Sequence, residues 1–235
     1  MKNIYKNIAI AAAFVTIGTG YTYSKYQNKI AANKVVVSDT VLNSTKKSPN
    51  TYTQNSIVPF SSDIVVYNSH PDETYQSGKS VTDIGSSLNN KLTKYGLKSS
   101  FIKINAPKEY KDSYENTRNI IKKNVKNYSN TILLDISRDE SLGTLDKKNI
   151  KLIVSKNSPN YEANKKFVNQ LLVQLKNTNG VTAEILYYNK RLLYFNQDLS
   201  KNAIHIEIGN DKSSDSDVQK GINAVAAALK NIQNK

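Results

Sequence analysis

The chain predicts an α/β domain built on a central, twisted mixed sheet of about six strands flanked by helices. Three observations carry that expectation. From Asp63 onward, short β-rich runs alternate with longer segments of helical spacing. The helical segments carry apolar stripes on one side only, as helices packed on a sheet do. At 235 residues, 38% of them apolar, the chain is long enough for one ordinary domain with appendages but not for a second large one.

Strands are expected near Asp63–Tyr67, Lys98–Ile104, Thr131–Ile136, Ile150–Ser155, Leu192–Phe195 and Ala203–Ile208. Helices are expected near Val81–Tyr95, Tyr110–Asn127, Tyr161–Thr178 and Ser216–Ile232. Asn177-Thr178-Asn179-Gly180 is a helix stop, and Ser214-Asp215-Ser216-Asp217 supplies an N-cap with acidic first-turn residues. Phe167, Leu171, Leu172 and Leu175 line one face of the third helix, and Ile222, Val225, Ala226 and Leu229 one face of the last. Both stripes read as core. No internal repeat is present.

The N-terminal portion has a different character. Lys2 and Lys6 precede an uncharged run from Asn7 to Ser24, 18 residues long, close to the roughly 17 that cross a hydrocarbon core as a helix. Residues 1–25 are read as a membrane anchor, with a cleaved signal peptide ending at Gly18-Thr19-Gly20 as the competing reading. Residues 26–61, rich in Asn, Ser, Thr and Lys, read as a disordered linker with an average reach of roughly 30 Å. Residues 62–235 form the α/β domain.

There is no cysteine, which excludes a disulfide framework, a thiol nucleophile and thiolate metal sites. The formal net charge of +14 favours a polyanionic neighbour such as nucleic acid, anionic lipid or wall teichoic acid. The lysines are scattered along the sequence and no nucleic-acid-binding motif appears, so nucleic acid is not an expected partner. No Gly-x-Ser-x-Gly elbow and no phosphate-binding glycine loop is present.

Open α/β sheets bind ligands beyond the carboxyl ends of their strands. His70 and Glu73 follow the first expected strand, Ser137, Arg138 and Asp139 end the third, and Glu207 ends the last, so three separated segments should meet on one rim. A hydrolytic zinc site needs three His or carboxylate ligands, an open position for water and a carboxylate to take its proton. His205 and Glu207, two apart on a strand, face the same side. An ionised group in such an apolar strand is costly unless paired, metal-bound or catalytic. His205 otherwise reads as a hydrogen-bonded core residue.

Five segments in register resemble the stage II sporulation protein P family. These are Tyr67-Asn68-Ser69-His70-Pro71-Asp72-Glu73-Thr74, Ser113-Tyr114 with Arg118, Asp135-Ile136-Ser137-Arg138-Asp139, Asn157-Ser158-Pro159-Asn160-Tyr161, and Phe195-Asn196-Gln197-Asp198-Leu199 with Ile206-Glu207-Ile208-Gly209. The resemblance implies a zinc-amidase-like fold and cleavage of peptidoglycan by an N-acetylmuramoyl-L-alanine amidase or endopeptidase activity. It implies His70 as a zinc ligand, Glu73 as a ligand or its support, and Glu207 as general base. His205 stands as a relocated ligand. Arg138, Asp139, Asn196, Gln197 and Asp198 are the expected substrate contacts.

Asn68 and Ser137 stand where the family words carry histidine, so the zinc site is expected to be incomplete. A catalytically inactive member that binds peptidoglycan or regulates a partner hydrolase is the alternative. In both readings the protein sits in the cell membrane through one helix, its C-terminal domain outside the cytoplasm, with peptidoglycan and a sporulation wall-hydrolase as expected partners.

Overall fold

The computed structural model describes residues 63–140, 149–189 and 194–234. The chain divides into two units, 1–54 and 55–235, and every described residue belongs to the second. The anchor and linker expected over 1–25 and 26–61 lie outside the described residues. Among the described residues, no helix is long and apolar enough to cross a membrane.

Among the described residues, six strands, β1 (Ile64–Tyr67), β2 (Ser99–Ile102), β3 (Ile132–Asp139), β4 (Ile150–Ser155), β5 (Ala183–Tyr188) and β6 (Ala203–Asn210), form one sheet in the order β2-β1-β3-β6-β4-β5. The pairs β1–β2, β1–β3, β3–β6 and β4–β5 are parallel, and β4–β6 is antiparallel. The expected mixed six-stranded sheet is therefore present. Among the described residues, four α-helices flank it: α1 (Val81–Lys94), α2 (Ser113–Asn124), α3 (Tyr161–Lys176) and α4 (Asp215–Gln233).

Strand alternation decides what each face carries. Ile132, Leu134 and Ile136 of β3, with Ile204, Ile206 and Ile208 of β6, join the large core under α1, α3 and α4. The alternate residues Val65, Leu133 and Ala203 pack with Ile121 and Val125 in a smaller core at α2. Among the described residues, α2 is the helix that packs on that second face. Its strand positions become polar toward the rim: Asp135 and Ser137 on β3, His205 and Glu207 on β6, and Lys151 on β4.

The helices start where their caps place them. Ser80 and Asp83 form a reciprocal capping box at α1, and the Ser214 hydroxyl accepts from the Asp217 amide at α4. The segment expected as one helix over Tyr110–Asn127 begins as a 3₁₀ turn, Tyr110–Asp112, and ends at Asn124, because Val125 turns extended to enter the core.

One strand assignment is corrected. Leu192 lies outside the described residues, but Phe195 and Asn196 adopt φ values of 49° and 56°, which no strand can hold. The sixth strand is instead Ala183–Tyr188, an edge strand whose half-exposed residues give no clean alternation in sequence.

Candidate active site

The rim is assembled by hydrogen bonds that fold the segment after β1 back on the sheet. The Asn68 amide donates to Val81 O at 2.9 Å and Ile136 O at 2.6 Å, bridging the start of α1 to β3. Ser69 gives its amide and hydroxyl to the two carboxylate oxygens of Asp135, at 2.8 and 2.7 Å. A turn closed from the Glu73 amide to His70 O then brings Glu73 over β3. The Tyr75 hydroxyl pins the segment to Ile208 O on β6 at 2.8 Å.

Glu73 and Ser137 meet there. The Ser137 hydroxyl donates to Glu73 Oε2 at 2.6 Å, and the Arg138 amide approaches the same oxygen at 3.4 Å. Burial nevertheless raises the Glu73 carboxyl to about 7, more than these bonds lower it. Glu207 lies between Ser137 of β3 and Lys151 of β4 in the sheet register, and burial raises it likewise to about 7, with His205 opposing the rise.

His205 pairs with Asp135 across β3–β6, its Nδ1 3.3 Å from Asp135 Oδ2, and its Nε2 is 3.9 Å from Glu207 Oε1. Burial disfavours its charged form, yet Asp135 overcomes that cost and leaves the imidazole above its ordinary value. His70 is opposite in character: burial lowers it to about 4, against the pull of Asp135, and its Nδ1 is buried without a hydrogen-bond partner. The Tyr110 ring stacks on it at 4.1 Å, and Tyr114 meets it edge-on at 5.0 Å. Phe195 contacts Tyr114 at 5.4 Å and His205 at 5.2 Å, so a chain of rings connects the two histidines.

The expected substrate contacts divide into two sets. Arg138 and Asp139 stand on the rim. Asp139 pairs with Lys151, and Arg138 donates from Nη1 to Asp139 O at 3.3 Å while its buried Nε has no partner. Asn196, Gln197 and Asp198 point into the protein. Asn196 donates to Tyr114 O at 3.2 Å; Gln197 accepts from the Ser155 amide and donates to Ile153 O, at 2.9 and 2.8 Å. Asp198 accepts two bonds from Arg118, at 2.8 and 2.6 Å.

His70, Glu73 and His205, expected as zinc ligands, share the rim but are not placed as a three-ligand set. Among the described residues no group of three or more His, Cys, Asp or Glu side chains is placed to hold a metal ion. The donor chemistry agrees: one Glu73 oxygen is taken by Ser137, and His205 is held by Asp135. As folded, these residues do not fit a three-ligand zinc centre.

Sequence reasoning missed Asp135 as a site residue. It is fully buried and orders both Ser69 and His205. The available signal was a lone carboxylate inside an otherwise apolar strand.

Residues 21–230 match the family described as Stage II sporulation protein P (SpoIIP). The chain belongs to the stage II sporulation protein P family. The matched span contains Asp135, Ser137, Glu207 and the inward-turned Asn196–Asp198 segment.

Among solved structures, the chain is similar to the N-acetylmuramoyl-L-alanine amidase AmiC2 of Nostoc punctiforme at 14% identity, covering 73% of this chain and 97% of that one, TM-score 0.48. The catalytic domain of the CD27L endolysin targeting Clostridia difficile is 16% identical, over 74% and 98%, TM-score 0.49. The CwlD amidase from Clostridioides difficile, solved in complex with the GerS lipoprotein, is 13% identical, over 73% and 98%, TM-score 0.48. No curated protein matches the sequence.

Proposed function

We propose that this SpoIIP-family protein is a cell-wall protein acting on peptidoglycan as a hydrolase, with its reaction site on the α2-side rim. The setting proposed is sporulation, with residues 1–25 as the membrane anchor and the domain outside the cytoplasm. The observation that carries the site is the placement of two buried carboxyl groups, Glu73 and Glu207, each held by burial at about 7, with Glu207 3.9 Å from His205. A group titrating near ambient pH can both take and return a proton, as amide hydrolysis demands. Glu207, 3.9 Å from His205 Nε2, is the proton acceptor for an attacking water. Glu73 is oriented by Ser137, and Arg138 offers the rim's guanidinium to a substrate carboxylate. No step is assigned to zinc, because the donor set does not fit it.

One contact favours a second reading, in which the chain holds peptidoglycan or a partner hydrolase without cutting. Ser137 Oγ and Glu73 Oε2 satisfy each other at 2.6 Å, at a position where the family words carry a histidine.

Incubation of the purified protein with isolated peptidoglycan, with and without added zinc, tests both. Release of soluble stem peptides or muropeptides, lost in Glu207→Gln, supports the hydrolase. Co-sedimentation with the wall but no release, with or without zinc, supports the binding reading and overturns the first. Neither release nor binding overturns both.

A further inference from the structure

The lysines that look scattered in sequence are gathered by topology. The helices α1, α2 and α4 all run from the rim to the opposite end of the sheet, where the parallel strands begin. That end is marked by Asp63, whose amide donates to Lys98 O and whose carbonyl accepts from the Ile132 amide, and by Asn202, whose carbonyl accepts from Leu133. Its turns and last helical turns carry Lys94, Lys98, Lys126 and Lys201, all exposed. Lys91 and Lys230 are added there, their ammonium groups 5.4 and 4.9 Å from the centre of one ring, Tyr95.

Carboxylates do not balance this end. Among the described residues of these turns, Asp198 is matched by Arg118 and Glu162 lies 3.9 Å from Lys165, leaving Asp63. The acidic residues Asp72, Glu73, Asp139, Glu207 and Asp211 fall at the rim instead. Among the described residues, the carboxylates gather at the rim, beside lysines such as Lys103 and Lys212, and the opposite end carries few of them. Lysines near helix C-termini complement the helix dipoles, but that effect does not require three helices to end together.

The chain enters at this same end. Residues 1–62, including the uncharged run expected as the membrane anchor, lead into Asp63 beside Lys98. We propose that the basic end of the domain docks on an anionic lipid surface, leaving the rim facing away from the membrane toward the wall. The proposal rests on the reading of residues 1–25 as a membrane anchor. Each lysine near an anionic surface strengthens binding about fivefold, an effect that fades over a Debye length.

Flotation of the full-length protein with vesicles of phosphatidylcholine alone, and with phosphatidylglycerol added, tests it. Binding to the neutral vesicles reports the anchor. The increment with phosphatidylglycerol reports the basic end. The expected result is a salt-sensitive increment that falls by roughly a hundredfold or more when Lys94, Lys98, Lys126 and Lys201 are changed to Gln. A charge-matched control, with Lys103, Lys108, Lys111 and Lys212 at the rim changed to Gln, keeps it.

Equal loss in both variants reduces the effect to net charge and overturns the proposal. An increment unchanged in the first variant also overturns it. Binding of soluble poly(glycerol phosphate) with no phosphatidylglycerol increment assigns the patch to a wall polymer and overturns it as well. All four changed lysines at the basic end are exposed, and circular dichroism verifies that the variant folds.

Discussion

Asp135 and His205 are register partners on β3 and β6, with His205 Nδ1 3.3 Å from Asp135 Oδ2 and both side chains almost wholly buried. Asp135 also takes both Ser69 bonds, so one carboxylate fixes the segment after β1 and an imidazole on β6.

Changing His205 to Ala leaves Asp135 a buried charge held only by Ser69, at an expected cost of about 3–5 kcal/mol. The His205 pKa is raised in the folded state, so its pairing stabilises fully below the unfolded value near 6.5 and is lost as pH rises through the folded value. Urea unfolding at pH 6 and pH 9 should show this part of the pH dependence in the wild type and not in Asp135→Asn. Equal pH dependence in the two proteins would show that the pair does not titrate.

Glu73 and Glu207 act in the same pH direction by a different route. Their folded values of about 7 lie above the ordinary 4.5, so the folded state holds protons that the unfolded chain has released. Stability falls as pH rises from about 4.5 through 7, each group costing about 3 kcal/mol once ionised. Glu207→Gln and Glu73→Gln are therefore expected to be more stable than wild type at pH 8 and little changed at pH 4. A variant that loses peptidoglycan release while gaining stability at pH 8 identifies a carboxylate kept for function.

Gln197 is wholly buried, and its amide serves both sides of the β4 end, from Ser155 N and to Ile153 O. Truncation to Ala removes both bonds at once. The expected loss is about 2–4 kcal/mol by chemical denaturation. Wild-type stability in Gln197→Ala would mean that water replaces the amide without cost.

Gly85 on α1 is required by Asn68. A Cβ there would stand 2.8 Å from Asn68 Oδ1 and 2.8 Å from Phe101 Cε2. Asn68 cannot retreat without releasing Val81 O or Ile136 O. Gly85→Ala is expected to destabilise by about 1–3 kcal/mol despite its higher helix propensity. A thermal midpoint at or above wild type would show that Asn68 is free to move.

Much of the fold was legible in the sequence because its signals are local. The cap at Ser214, the stripe through Phe167, Leu171 and Leu175, and the apolar runs of β3, β4 and β6 each declare an element within a few residues. The edge strand Ala183–Tyr188 did not, since its assignment depends on pairing with β4, a partner some thirty residues away. The convergence of His70, Glu73, Ser137 and Glu207 on one rim was also readable, because parallel strands carry their carboxyl ends to the same side.

By itself the sequence determined the segments that resemble the family, the α/β alternation, the asparagine at position 68 and serine at position 137, and the net positive charge. Only the tertiary structure decided what those residues do to one another. It turned Asn196, Gln197 and Asp198 inward, set Asp135 against His205, closed Ser137 on Glu73, and collected distant lysines at the end where the chain enters. The physical reason is range. Helix and strand formation follow from backbone geometry over a few neighbours, whereas a pKa, an ion pair or a charged face depends on burial and on Coulomb contacts between residues that only the finished sheet brings together.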